Sequence, residues 1–234
     1  MSDSTIHQVC ASGDIRRVRM LIAADPTVVD LDDEHQWRPV FHAALWRHEE
    51  IVRVLIEAGA DLAAHDGYVL HYASEVKGNK AVVELLLKYG VLDAHVRPGN
   101  DLSRQFLSAV FLDDADRVRS MIRLHPDLAT AVDGRGDQPI HHAARGGCTT
   151  IVGSLIDAGA AVDCQNSRGH TVLYCAGGHG HLDIFRLLLR AGADRNVIFT
   201  QDGKNLLDWL EQYPNDPRYV PIIEVLRSHL ASDN

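Results

Sequence analysis

Fourteen histidines in a chain of 234 residues raise metal chemistry first, because neutral imidazole is a common ligand for zinc and related ions. The densest groupings are His141-His142 and His179-Gly180-His181. Neighbouring helical residues point in different directions, so His141 and His142 cannot easily share one ion. No His/Cys group has ligand spacing with a carboxylate or thiolate nearby, so no metal is expected. His48-Glu49-Glu50 opens like the His-Glu-x-x-His pair of zinc hydrolases, but position 52 is Val52 and the second imidazole is missing. There is no Gly-x-Ser-x-Gly elbow and no Gly-x-Gly-x-x-Gly turn opening a helix after a strand. Gly177-Gly178-His179-Gly180 is glycine-rich, yet it joins two short helices and makes a poor phosphate cradle. Asp113-Asp114 falls at a helix link, where a solvated cap is the ordinary role. These residues predict no catalysis and no cofactor.

The elements that carry them repeat. Arg38-Pro39-Val40-Phe41-His42-Ala43-Ala44 returns 100 residues later as Gln138-Pro139-Ile140-His141-His142-Ala143-Ala144. Ile51–Ala60 returns at the same offset as Ile151–Ala160, and Val18, Ile22 and Pro26 return as Val118, Ile122 and Pro126. Inside this echo lies a shorter period. Apolar residues Ile6, Val40, Leu70, Phe106, Ile140, Leu173 and Leu207 mark seven equivalent positions, spaced 34, 30, 36, 34, 33 and 34 residues apart. The first three steps make up the long offset, so the long repeat is a duplicated block of three short ones.

One repeat reads as turn, helix, link, helix. Asp133-Gly134-Arg135-Gly136 is turn chemistry for the tip of a hairpin-like finger. Pro139 suits a first helical turn, and Ile140, Ala143 and Ala144 give that helix a narrow apolar face. Gly146-Gly147 breaks it. Ile151, Val152, Leu155 and Ile156 then follow helical spacing, and Gly159 ends the helix. Such a unit cannot bury its own apolar face, so neighbours must stack.

These motifs resemble the ankyrin repeat. The family start Thr-Pro-Leu-His-x-Ala is matched by Gln138-Pro139-Ile140-His141-His142-Ala143. Its second-helix ending is matched by Leu55–Asp61 and Leu188–Asp194, and Gly180-His181-Leu182-Asp183 fits its inter-helix link. The resemblance implies an all-α solenoid of helix-turn-helix units with β-hairpin-like fingers. One repeat domain is expected over residues 1–234, with repeats at 1–32, 33–65, 66–98, 99–132, 133–165, 166–199 and 200–234. It also implies that His7, His71 and His141 bridge backbone groups. Repeat 3 has a shortened finger and an extra residue in Glu75–Gly78. Repeat 4 puts Leu107 at the His position and Asp113 at the glycine of the link. Repeat 7, with Leu206–Leu210 in place of the motif helix, reads as a cap.

Composition agrees. Hydrophobic residues make up 46% and aromatics only 6%, as fits a core of closely packed small aliphatic helices. Twenty-three Lys+Arg against 32 Asp+Glu give a formal charge of −9, which disfavours nucleic acid. No apolar run approaches a membrane span and no leader-like start is seen, so a cytoplasmic protein is expected. Cys10, Cys148, Cys164 and Cys175 lack CxxC spacing and read as reduced thiols.

The resemblance implies binding of a protein partner through a concave face of finger tips and exposed first-helix positions, by a chain that is monomeric when unbound. Carried over, those positions are Trp37, Leu45 and Trp46 in repeat 2, Tyr68 and Glu75 in repeat 3, and Phe111 and Leu112 in repeat 4. Repeats 5 and 6 add Arg135, Asp137, Arg145, Arg168, His170 and His179, and repeat 7 adds Lys204. Asp32, Asp33, Glu34 and Asp66 make the first tips acidic, whereas Arg135, Arg168 and Lys204 mark the later ones. A partner with an apolar anchor near repeats 2–4 and an acidic end near repeats 5–6 would match. Trp37 and Trp46 either anchor that partner or seal a repeat junction. The alternatives are a small-molecule or enzymatic module in repeats 3–4, and a self-associating structural protein.

Overall fold

Glycine, or a residue forced into glycine's conformation, divides the chain into pairs of short helices. The computed structural model describes residues 5–62, 69–70, 72–74, 76, 78–91, 101–196 and 205–231, with side chains through 228. It separates into two compact units, Met1–Pro98 and Gly99–Asn234, and the boundary falls where expected repeats 3 and 4 meet. Asp66, Tyr68, His71, Glu75 and Lys204, expected at the fingers and first helices, lie outside the described residues.

The first unit holds α1 (Ile6–Ser12), α2 (Ile15–Ala24), α3 (Pro39–Leu45), α4 (Glu49–Glu57) and α5 (Lys80–Lys88), with residues 69–70 and 72–74 also helical. The second holds α6 (Asp101–Phe111), α7 (Ala115–Leu124), α8 (Pro139–Arg145), α9 (Thr149–Asp157), α10 (Val172–Gly178), α11 (Leu182–Arg190), α12 (Leu206–Leu210) and α13 (Val220–Ala231). Starts are set locally. Pro39 and Pro139 open α3 and α8, where a missing N–H costs nothing. Thr5 and Gln8 form a capping box on α1, and Asp14 and Asp114 cap α2 and α7 from equivalent positions. The longer exits of repeats 1 and 4 form matching 3-10 turns, Pro26–Asp30 and Pro126–Thr130.

The link between the two helices of each of repeats 1 to 6 contains one left-handed residue. Gly13, Gly78, Gly147 and Gly180 have φ of 81°, 80°, 76° and 78°. Arg47 and Asp113 adopt φ of 60° and 54° at the same place, so Asp113 does stand in for the link glycine. In repeats 2, 3 and 6 the next residue reaches back to the preceding repeat. His48 Nε2–H donates to Ala11 O at 3.0 Å, Asn79 Nδ2 to Ala44 O at 2.9 Å, and His181 Nε2–H to Arg145 O at 2.7 Å. Three side chains of two types, imidazole and carboxamide, thus satisfy carbonyls that the preceding helix leaves without an intrahelical partner.

Helices stack like on like. First helices α6, α8, α10 and α12 pack in sequence, as do second helices α7, α9, α11 and α13; α1 on α3 and α2 on α4 repeat the scheme in the first unit. Ala43, Ala44, Ala143 and Ala144 have no exposed surface, which permits this close approach. Ile51, Val52 and Leu55, with Ile151, Val152 and Leu155, fill the layer between the two rows. Each such side chain removed from water contributes about 1.5–3 kcal/mol. Tyr219, Ile222, Ile223 and Leu226 of the last repeat close the core of the second unit.

The fingers are tighter than expected. Among the described residues β pairing is limited to one antiparallel bridge, Gln165 with Thr171. Each described finger is a turn built on one Asx side chain. Asp33 Oδ1 accepts from His35 N and Trp37 N, Asp133 Oδ1 from Arg135 N and Asp137 N, and Asn166 Oδ1 from Arg168 N and His170 N. Gln36, Gly136 and Gly169 follow with φ of 62°, 73° and 77°. Successive fingers touch through Ser167 N–H and Arg135 O at 3.0 Å.

Candidate partner-binding surface

In the first unit α1, α3 and the finger at residues 31–38 converge on one face. Asp33, fixed by the two backbone N–H groups of its turn, turns its second oxygen to His42 Nε2–H at 2.9 Å. Desolvation pushes the Asp33 carboxyl up, but the N–H of Trp37, the His42 ring and the N–H of His35 outweigh it and hold the group at about 2. From His42 a row of rings extends both ways. The centroid of His7 lies 5.4 Å from that of His42, Trp37 lies 5.9 Å from His42, and Tyr72 lies 5.4 Å from Trp37. Beside the finger is an open cavity of about 540 Å³, lined by Thr5, His7, Gln8, Ala11, Leu31, Asp32, Asp33, Glu34, His35 and His42.

The second unit places the same frame to another use. Asp133 accepts from His142 Nε2–H at 3.2 Å, with both side chains 1% exposed. Asp137 accepts two bonds from Arg145, at 3.0 and 2.9 Å, and one from Asn166 Nδ2 at 2.8 Å. Burial alone would raise the Asp137 carboxyl, yet Arg145, His142 and Asn166 hold it far below the usual carboxylate range. Burial likewise opposes charge on Asp133, and His142 and the Arg135 N–H reverse the effect. Asp133, Asp137 and His142 offer ligand atoms within 4.8 Å of one another, a spacing open to a metal ion. Their oxygens are already directed at Arg145, Asn166, His142 and the finger amides, so the arrangement works as an internal ion network.

His141 makes the bridge expected of the motif histidine. Gln138 N–H donates to its Nδ1 at 3.0 Å, so the proton sits on Nε2 and is donated to Cys164 O at 3.2 Å. Burial lowers its pKa. His7 Nε2–H likewise donates to Leu31 O at 2.7 Å. All four cysteines are free, and burial pushes the Cys10 and Cys148 thiols up to about 12.

The expected surface residues divide. Trp46 is 62% exposed and Arg168 is exposed. Trp37 is half-buried, stacked near Phe41 and Tyr72, so it covers its own finger and does not stand free. Leu45, Leu112, Arg135 and His179 are also half-buried, and His179 Nδ1–H is committed to Cys175 O at 2.8 Å. Phe111 is a correction: at 7% exposure it packs 5.1 Å from the His142 ring, because α6 runs on to residue 111 and turns that position inward. Asp137 and Arg145 are corrections too. Asp137 is only 3% exposed and Arg145 is spent on it. The pairs Asp33–His42 and Asp133–His142 escaped the sequence reading, although their shared nine-residue spacing was visible.

Among curated proteins, the chain is 26% identical over 203 residues to the B-cell lymphoma 3 protein homolog of Mus musculus, covering 83% of this chain and 45% of that protein. It is 30% identical over 237 residues to the ankyrin repeat and KH domain-containing protein mask-1 of Caenorhabditis elegans, covering 99% of this chain and 9% of that one. It is 29% identical over 135 residues to human protein phosphatase 1 regulatory subunit 27, covering 58% of this chain and 82% of that one. The chain thus spans less than half the length of the first two relatives. The model of the family "Ankyrin repeats (3 copies)" matches twice, over residues 6–97 and 106–198, as the duplicated triplet requires, and the chain belongs to the ankyrin repeat family.

Proposed function

We propose that this protein is a non-catalytic scaffold that binds a protein partner through the face built from its fingers and first helices. The observation that carries the reading is Trp46, an indole left 62% exposed at the end of α3 beside the half-buried Leu45. Tryptophan is among the residues most enriched at interaction hot spots. A relative named as a regulatory subunit of a phosphatase supports the same reading. Four free cysteines, three of them buried, fit the reducing cytoplasm. The test is affinity capture from the native host with wild type and Trp46→Ala side by side. The variant is expected to lose partners while keeping the wild-type melting curve. Unchanged capture at unchanged stability would overturn the assignment of this face.

A further inference from the structure

The cavity beside the first finger goes beyond a generic binding face. We propose that it receives a lysine or arginine side chain from the partner. This rests on the protein-binding reading and names the chemistry of what is bound.

Three carboxylates, Asp32, Asp33 and Glu34, stand together on its wall, and no lysine or arginine is among the lining residues. Arg38, the cation nearest in sequence, is turned to Asp30 and Asp61 at 3.0 and 3.1 Å and reaches only Asp32 among these acids, at 3.5 Å. The Glu34 side chain is 86% exposed, with the His35 ring 3.6 Å away. The imidazoles of His7 and His42 give flat walls on which a guanidinium stacks. Leu31, 54% exposed, offers the apolar surface along which the methylene stem of a long cationic side chain lies. A volume of about 540 Å³ admits such a side chain with its flanking backbone.

The duplicated frame supplies a built-in comparison. In the second unit a guanidinium from the chain itself, Arg145, lies in the Asp133–Asp137–His142 cluster. The first unit keeps the Asp–His pair as Asp33 and His42 but carries Leu45 where that arginine stands. The place of Arg145's partner Asp137 is taken by Trp37 in the first unit, so cation and acid are absent together there; the first finger instead adds Asp32 and Glu34 where the second has Val132 and Gly134.

The probe is a fluorescein-labelled peptide of alternating arginine, glycine and leucine, with glutamate replacing arginine in the control. Binding is read by anisotropy at two salt concentrations. The arginine peptide is expected to bind at least about tenfold more tightly than the glutamate peptide, with the gap narrowing in high salt. Asp33→Asn/Glu34→Gln is expected to weaken it about tenfold and Glu34→Gln alone about threefold. The asparagine keeps the finger, since Asn166 makes the same turn from its Oδ1. Asp183→Asn/Glu224→Gln removes equal charge from exposed positions in the other unit and should change binding less than twofold. Equal loss in that pair, or no loss in either pocket variant, overturns the proposal. If Trp46→Ala still abolishes partner capture in that case, protein binding stands and only the basic side chain is refuted.

Discussion

Arg145 holds Asp137 through both terminal nitrogens, 3.0 Å to Oδ2 and 2.9 Å to Oδ1, at a place where Asp137 is 3% exposed. Removing one partner of such a pair strands a buried charge. Arg145→Leu is expected to cost about 3–5 kcal/mol in urea unfolding of the second unit. Adding Asp137→Trp recreates the Trp37/Leu45 pair of the first block and should recover much of the loss. A cost below about 1 kcal/mol for the single variant would mean that the pair is solvated and contributes as surface ion pairs do.

Two links bear backbone strain that their copies avoid. Arg47 and Asp113 sit at φ of 60° and 54°, whereas Gly147 and Gly13, each 100 residues away, sit at 76° and 81°. Left-handed backbone costs a non-glycine residue about 1–2 kcal/mol, partly offset by glycine's greater freedom when unfolded. Arg47→Gly and Asp113→Gly should therefore each stabilise by up to about 1 kcal/mol. The reverse change, Gly13→Ala, should destabilise, because the added Cβ would lie 2.7 Å from His48 Cε1. Thermal melting of the three variants checks both directions, and a lower midpoint for the glycine variants would refute the strain argument.

The two tryptophans of repeat 2 should part company in stability. Trp37 packs near Phe41, His42 and Tyr72, so Trp37→Ala is expected to cost about 2–3 kcal/mol. Trp46, at 62% exposure, should change stability by no more than about 0.5 kcal/mol. Equal losses in chemical denaturation would place Trp46 in a packing role and undercut the anchor reading.

Acid should act in two stages. Burial lowers the pKa of His141 below its ordinary 6.5, and burial aided by Arg145 and Arg168 pushes His170 down to about 4. The unfolded chain then takes up protons that the folded chain refuses, so stability falls as pH drops from 6.5 towards 4. The carboxylates of Asp33, Asp133 and Asp137 are also lowered, from 3.8, so the stability they contribute is present above that value and is lost as pH falls below it. Melting temperature measured from pH 7 to pH 3 should show both limbs. His170→Phe keeps a ring beside Tyr174 and should flatten the upper one. An unchanged upper limb in that variant would remove His170 from the account.

The frame was legible in the sequence because buried positions repeat by type. Val40 and Ile140, or Leu55 and Leu155, answer one steric demand set by stacking, and a period exposes such demands directly. The surface was less legible because exposure depends on where a helix stops and what lies opposite. Phe111 occupies an expected outward position, yet α6 carries it inward against His142. Arg145 looked like a surface charge until Asp137, eight residues earlier, was seen turned towards it. The Asx side chains that shape the fingers did leave a signal, since Asp133 and Asn166 each precede a glycine by three residues. Turn chemistry was anticipated at the tip, but the side chain that organises it was not singled out.

The backward-reaching link residues bear on how the second unit comes apart. His181 and Ser167 lie downstream of any cut made between Asp163 and Asn166, while their acceptors, the carbonyls of Arg145 and Arg135, stay upstream. Each half thus ends in a surface templated for the other. Two separately made chains should find each other in solution and regain the helical signal of the intact unit, a split-protein reporter latent in the repeat grammar.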